Sequence, residues 1–483
     1  MKKYNRTVFS GACLALAMVA APLAAHAEGP SINVRTDLRA QVIGEDNADL
    51  GVLSNEPTDS EALEAKVKVD GNVTDNISFL VEFRGVKNYG SGGSVDTDTG
   101  EAAGRKDFLE LRQYWVQVDN LFGDYSPFAV RAGRQRIKED RGLWWNRDLD
   151  AVSLMYDATL FDAQLTVGQN LAEYRTSDDS FLQDDQDILR VLGETSWQWR
   201  YGQFLESRFA YQNDYSGMES AGIIIPSDDR DESDADLFWF GVRAQGDLGG
   251  LQPKLEPTRV NYRVDVMGVT GHDEVQSSTS GPGSNRTVTG VSDKDVLGWA
   301  LDAEVNVPVP VSVASQEPVF ILGYAFGSGD DDSTDGTDHA FRQTGLDGNT
   351  SRPGTASGSI HNYGSVLRPD LSNIHVMTAG VVVPVSQASD VTGLYHYYRL
   401  DEKATSLSTS GIDASLNGTD KGLGQGLDVM FNSNLTKEFG LPDQTVERVD
   451  FKATLGAFRG GNAYGAGDGE TAVRGQVELR FRF

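Results

Sequence analysis

VRGQVELRFRF, Val473 to Phe483, is the stretch whose reading decides the fold. Val473, Val477, Leu479, Phe481 and Phe483 share one parity, interrupted by the small Gly475, while Arg474, Gln476, Glu478, Arg480 and Arg482 share the other. Side chains alternate across an extended chain, so a strand here is apolar on one face and charged on the other. A water-soluble sandwich would turn the apolar row to a core and the charges to solvent. A transmembrane barrel does the reverse: the apolar row meets lipid and the charged row meets a hydrated lumen. The terminal aromatic, Phe483, fits the second arrangement, and its row is taken as outward-facing for the whole chain.

At the other end, Lys2, Lys3 and Arg6, an apolar run from Gly11 to Ala20 and the small-residue exit Ala25-His26-Ala27 read as a secretory leader, residues 1–27. The run is well short of the roughly 20 residues a spanning helix needs. Residues 28–483 are then expected to form one domain. Cys13, the only cysteine, lies in the leader, so the mature chain has no disulfide, no cysteine-ligated zinc and no thiol chemistry. The formal charge of −29 becomes −32 once the leader's three cations are removed, which excludes nucleic acid as a partner. Glycine outnumbers proline 53 to 15, and 21 Phe and 16 Tyr supply the aromatics that barrels place at both membrane interfaces.

Alternation broken by turn residues predicts eighteen strands. They are Ile32–Val42, Leu63–Val73, Ile77–Lys87, Phe108–Val118, Phe128–Ile137, Ala151–Tyr156, Phe161–Asn170, Ile188–Trp199, Phe204–Asn213, Leu237–Gly246, Arg259–Val269, Val296–Val307, Val319–Gly327, Ile374–Val383, Val391–Leu400, Leu427–Asn432, Arg448–Phe458 and Thr471–Phe483. Connections alternate short and long, as periplasmic turns and extracellular loops do. The expected fold is therefore all-β: a transmembrane antiparallel β-barrel of about 18 strands, a single domain, multi-pass in the outer membrane of a Gram-negative bacterium. Acidic runs at Glu45–Asp49, Asp96–Glu101, Asp178–Asp187, Asp228–Asp236 and Asp330–Asp338 fall in long connections and read as a solvated outer surface facing lipopolysaccharide. They lack the spaced ligands and turn glycine of a calcium loop, so no metal and no cofactor is expected. Two connections are unusually long for their side, Ser328–Ser372 and Ser433–Glu447, and each is a candidate constriction or plug.

Projected onto the strands, the phase places Arg35, Arg39, Lys66, Lys68, Arg84, Arg112, Arg190, Arg208, Arg243, Arg263, Lys452, Arg480 and Arg482 in the lumen. Glu64, Glu82, Glu110, Glu194, Glu206, Asp265, Asp302, Glu304, Asp450 and Glu478 oppose them. A hydrated lumen of both signs, filled by cross-strand ion pairs, is the expectation. The densest basic stretch is AVRAGRQRIKEDRGLWWNRD, where Arg134 and Arg136 share a parity and Lys138, Arg141 and Arg147 follow. Val130 and Ala132 share that parity too, which places a bulge near Gly133. Arginine suits carboxylate recognition because its planar fork donates two parallel hydrogen bonds and its charge does not titrate away. Trp144 and Trp145 read as interfacial girdle residues, with stacking on sugar rings as the alternative.

GRQRIKEDRGLWWNRDLDAV, LAEYRTS, GYAFGSGD with AFRQTGL, LRPDLSNIHVMTAGV and LYHYYRLDE, in that order between about Leu109 and the carboxyl end, resemble the alginate export family of outer-membrane porins. The resemblance implies a monomeric eighteen-stranded barrel. Its narrow, arginine-rich lumen would pass a linear anionic polysaccharide by facilitated diffusion, within an envelope-spanning complex that includes periplasmic secretion proteins. Carried over where motifs match, it implies lumen roles for Arg112, Arg134, Arg136, Arg342, Arg352 and Arg399, with Arg175 at a strand end; Arg342 lies inside the long connection, and Arg352 and Arg368 follow it there. The set of substrate-binding candidates is then Arg84, Arg112, Arg134, Arg136, Arg141, Arg147, Arg175, Arg342, Arg352, Arg368, Arg399 and Arg480. An anion-preferring porin taking up small acidic solutes is the alternative. Catalysis is not expected: once His26 leaves with the leader, His272, His339, His361, His375 and His396 stand in no triad or metal-ligand spacing.

Overall fold

The computed structural model describes residues 31–52, 57–90, 94–95, 102–103, 107–172, 174–176, 187–226, 233–251, 258–280, 285–332, 334–440 and 446–483. The leader expected at 1–27, the acids at 96–101 and most of those at 178–187 and 228–236 lie outside the described residues.

Eighteen long strands form the wall. They are β1 (Ser31–Asp46), β2 (Thr58–Thr74), β3 (Ile77–Gly90), β4 (Phe108–Val118), β5 (Phe128–Lys138), β6 (Asn146–Ala158), β7 (Phe161–Gln169), β8 (Ile188–Arg200) and β9 (Gln203–Asp214). The second half comprises β10 (Ser233–Asp247), β11 (Asn261–Ser280), β12 (Asn285–Pro308), β13 (Val319–Gly327), β14 (Ile374–Pro384), β15 (Ser389–Leu400), β16 (Gly422–Asn434), β17 (Arg448–Gly460) and β18 (Thr471–Arg482). Each pairs antiparallel with the next, and β18 pairs back onto β1 from Asp46↔Val473 to Asp37↔Arg482, so the sheet has no edge. Among the described residues no helix is long and apolar enough to cross a membrane; strands do the crossing.

The phase set by the final stretch holds. Val473 and Val477 are exposed on the outside, while Ala472, Arg474 and Gln476 are buried within. Every expected strand has its counterpart, β4 and β13 with the same ends. The largest difference is at β11 and β12, which continue well past Val269 and begin well before Val296. The extra residues alternate without being apolar (Thr270, His272, Glu274), because this hairpin projects beyond the hydrocarbon and needs no lipid-facing row.

The wall is interrupted in one place. β4 and β5 pair only from Val118↔Val130 to Tyr114↔Arg134. Above that point β4 hydrogen bonds instead to Tyr174–Thr176 of the connection after β7: Leu111 N to Tyr174 O at 3.2 Å, and Thr176 N to Leu109 O at 3.0 Å. The upper β5–β6 hairpin has left the wall and crosses the lumen, since its tip reaches β10 and β12 on the far side. Arg141 binds Asp302 at 3.1 Å and Glu304 at 3.0 Å, and Glu139 binds Arg243 at 3.0 Å. Departure begins at Gly133, whose φ of 124° is open to glycine alone. A Cβ there would sit 2.2 Å from the Tyr114 carbonyl oxygen. The bulge expected at this glycine is replaced by a bend, for β5 keeps unbroken register with β6 through it.

The largest apolar cluster lies inside the barrel, toward the extracellular side. Leu143, Trp144 and Trp145 of the β5–β6 tip and Phe341, Tyr363, Val366, Leu367 and Leu371 of the β13–β14 connection pack there. They meet the inward-facing Leu237, Trp239, Met267, Val269, Val376, Tyr398 and Phe458 of the wall. Each such side chain contributes about 1.5–3 kcal/mol on burial. The upper lumen is therefore a packed core, where the sequence alone implied ion pairs and water throughout.

Candidate functional site

The element that occupies the lumen is the connection between β13 and β14, residues 328–373, which was one of the two sequence candidates for a plug. It is seated on the β5–β6 tip by backbone bonds from Gly348 and Asn349 to the Gly142 carbonyl, both at 2.9 Å, and by Gln343 Nε2 to Leu143 O at 3.1 Å. Asn362 Nδ2 donates to Arg141 O at 2.9 Å. The wall holds it through Tyr363 Oη to Asp302 at 3.0 Å, Tyr398 Oη to the Tyr363 carbonyl at 2.9 Å, and Ser365 to Asp428. The hairpin tip and the long connection thus form one composite plug. The other candidate is a short helix, α1 (Leu435–Phe439), at the periplasmic ends of β16 and β17, capped by the Asn434 side chain. Residues 441–445 lie outside the described residues.

The lumen wall carries ladders of opposite charge. Arg39 and Arg84 share Glu64, both at 2.8 Å, and Arg84 also meets Glu110 at 3.4 Å. Arg243 bridges Glu139 and Asp265, and Arg263 joins Glu304 at 3.2 Å. Near the periplasmic end Arg480 Nε donates to both oxygens of Asp37, at 2.8 and 2.7 Å, and its Nη2 donates to Oδ2. Cross-strand ion pairing inside a wet barrel, expected from the sequence, is what these residues do.

The Arg134 cluster is built differently. Arg134 and Arg136 stand in the same row as the outward-facing Ala132, opposite Asp150 and Asp148, while Gln135 and Ile137 fill the other face. Because the hairpin has bent into the barrel, this row is covered by β4 and by the 174–176 segment. Arg134 meets Asp150 at 3.5 Å and lies 4.1 Å over the Tyr174 ring; Arg136 meets Asp148 at 3.0 Å. Arg112, the residue left over where β4 slips register against β3, joins Glu82 at 3.5 Å to Asp148 at 3.1 Å. Arg175 reaches Glu110 at 3.2 Å and covers the Phe108 ring. Desolvated guanidinium groups with such partners fasten the hairpin to the gap in the wall.

The remaining candidates divide. Arg147 Nη2 donates to the Gly345 carbonyl at 3.4 Å, Arg342 is ion-paired with Asp273 and Asp338, and Arg368 meets Glu45 at 2.9 Å. Arg352 is exposed on the plug. Arg399 is a correction: it stands in the outward row with Tyr395 and Tyr397, on the side away from the lumen. In LYHYYRL both parities are apolar or aromatic, so the phase was not fixed by composition; His396, Tyr398 and Leu400 are the inward set. Trp144 and Trp145 are a second correction. Each is 2% exposed within the plug, whereas the exposed tryptophans are Trp197, Trp199 and Trp299.

Sequence reasoning did not single out Glu139, Tyr363, Asp390 or Asp428. Asp428 had a visible signal, a lone acid between Leu427 and Val429 on the inward parity. Tyr363, within a long connection of no periodicity, had none. His361, also on the plug, accepts from Tyr363 N at 3.2 Å; burial first and the Arg368 charge second push its imidazole down to about 3, so it is neutral as docked.

A closed eighteen-strand barrel with a lipid-facing apolar band and a plugged, charge-lined lumen defines an outer-membrane channel of the porin class, located in the Gram-negative outer membrane. The Alginate export family model matches residues 31–478, and the chain belongs to that family. It is 30% identical over 400 residues to alginate production protein AlgE of Pseudomonas aeruginosa, covering 80% of this chain and 78% of that one. To AlgE of Pseudomonas syringae it is 25% identical, covering 93% and 94%. Among solved structures, OccK5 (OpdH) of Pseudomonas aeruginosa superposes with a TM-score of 0.54 at 9% identity, covering 94% and 98% of the two chains. OccAB1 of Acinetobacter baumannii gives 0.52 at 11%, covering 94% and 96%. At such identities the likeness extends to the barrel fold alone.

Proposed function

We propose that this barrel is the outer-membrane conduit for an anionic, alginate-like polysaccharide, which moves outward by facilitated diffusion along the cationic groups of the lumen. Membership of the alginate export family carries the reading. The chemistry of the lumen supports it: guanidinium groups recur along the wall at Arg39, Arg84 and Arg480 and on the hairpin tip at Arg141, each able to exchange a protein carboxylate for a polymer carboxylate of like geometry. Strong acidity elsewhere on the chain is compatible with a polyanion inside. Charges on outer loops are screened over about 8 Å at physiological ionic strength, whereas groups in a low-dielectric throat act at contact range. Periplasmic secretion proteins are the expected partners on the side from which polymer arrives, and lipopolysaccharide surrounds the outer rim.

The test uses planar bilayers. A variant lacking the plug segment conducts, its reversal potential in a KCl gradient is that of an anion-preferring pore, and oligomannuronate blocks its current while a neutral oligosaccharide of equal length does not. Cation preference with no difference between the two oligomers would refute the proposal.

A further inference from the structure

The plug does not end in the apolar upper lumen. Its lowest part reaches the periplasmic third, where Gly354 lies beside Ile321 and Asn306, each two residues from the periplasmic end of its strand. There the tip is clasped by three strands. Ser357 donates through N at 3.1 Å and through Oγ to Asp390 on β15. Asn432 on β16 donates to the other oxygen of Asp390 at 3.0 Å, and Lys452 on β17 donates to the Ser359 carbonyl at 2.6 Å. The fit around Asn432 is close, since a Cβ on Gly358 would sit 1.9 Å from its Oδ1.

Two cations at this tip differ from the rest. Most of the lumen arginines named above are held by carboxylates, whereas among the described residues neither Lys452 nor Arg352 is ion-paired. Lys452 stands opposite Glu478 in the β17–β18 ladder, but its ammonium is spent on a neutral carbonyl, and Arg352 projects from the plug surface. A hydrogen bond from ammonium to carboxylate is roughly twice as strong as one between neutral groups, and stronger than one to a carbonyl. A carboxylate reaching the tip therefore meets two cations that are in no ion pair among the described residues, Lys452 feeling the charge of Glu478 without bonding to it, and one of the two is also the clasp.

Resting on the export reading above, we infer that the plug tip is a carboxylate-operated latch. A uronate carboxylate docks on Arg352, and Lys452 exchanges the Ser359 carbonyl for a carboxylate of the same polymer. The tip, left on Asp390, Asn432 and the apolar contacts of Ala356 and Ile360 with Ile321, Val382, Leu394 and Met430, then withdraws. Recognition and opening are thereby one event, and neutral glycans, lacking the charge, leave the channel shut.

The experiment is single-channel recording of the full chain with oligomannuronate added to the periplasmic face and a neutral oligosaccharide as control. Wild type opens with the uronate alone. Arg352→Gln raises the half-maximal concentration about tenfold, the value of one lost charge-assisted bond. Lys452→Met opens spontaneously and loses its response to polymer, while Asp390→Asn opens spontaneously and keeps it. In a Ser357→Cys/Asp390→Cys variant, on a mature chain without other cysteines, oxidation abolishes the response and reductant restores it. Wild-type behaviour of Arg352→Gln and Lys452→Met, or an undiminished response with the disulfide closed, would overturn the latch. Polymer block of the plug-deleted pore tests the export reading separately, so that reading survives if the latch alone falls. A wild type that is silent toward uronate, with a deleted pore that uronate does not block, sinks both.

Discussion

At the scale of single residues, Gly133 and His361 have the most exposed roles. Gly133→Val places a branched side chain at φ 124° and drives its Cβ into the Tyr114 carbonyl, 2.2 Å away for the ideal position. Strain of this kind costs about 1–3 kcal/mol. Because it falls where the β5–β6 hairpin turns inward, the expected outcome is a barrel that still assembles but whose plug is loosened. Raised spontaneous conductance at unchanged β content by circular dichroism is the measurement. His361 has its pKa depressed on docking, so an undocked plug binds the extra proton more readily. The docked state is fully favoured above the ordinary histidine pKa of about 6.5 and loses stability as pH falls from there toward 3. Open probability is expected to rise between pH 7 and pH 5 in wild type and to change less in His361→Gln, read in bilayers at fixed salt.

Elements explain both what the sequence disclosed and what it hid. β18 was legible because lipid on one side and charge on the other force strict alternation, whereas β4 and β13 were found to the residue because turn residues bound them, Asp107 and Asp119-Asn120 for the one, Pro318 and Ser328-Gly329-Asp330 for the other. The inner half of the site was not. LFWFGV in β10 carries apolar residues on both parities, Leu237 and Trp239 inward and Phe238 and Phe240 outward. That pattern marks a strand buried on two faces, and its physical meaning is a packed plug on the lumen side. Arg399 was misplaced for want of a phase, since Tyr395 to Leu400 offers no polar row to compare. The plug itself has no periodicity from which a contact with Asp302 or Asp428 could be read. Excising residues 342–370 and bridging the ends with a short Gly-Ser linker tests its role as an element. Gly327 and Ile374 are already partners across β13 and β14, so the wall closes without it. Steady ohmic current in place of a closed channel is the expected result, and a deleted barrel that stays silent would assign occlusion to another segment.

For the whole molecule, the governing fact is which side of the sheet faces hydrocarbon. Val477, at the middle of β18, is exposed outward, and its neighbour Gln476 is buried inward. Val477→Arg puts a charge against lipid near mid-membrane and is expected to cost about 2–4 kcal/mol. Gln476→Arg joins a row that already holds Arg474 and Arg480 and should cost far less. Urea unfolding in phospholipid vesicles separates the two, and equal costs would contradict the orientation of the barrel.

The ring closes by hydrogen bonding its first strand to its last, down to reciprocal backbone bonds between Thr36 and Phe483 at 3.2 and 2.9 Å. A sheet so joined has no finished intermediate: until β18 arrives, two rows of unsatisfied amides flank the breach, and in lipid each costs several kcal/mol. Insertion must then be nearly all-or-none with respect to chain length. Nonsense truncations that remove only the closing strand should be cleared as misassembled protein, where losses of similar size from an extracellular loop leave a mature channel.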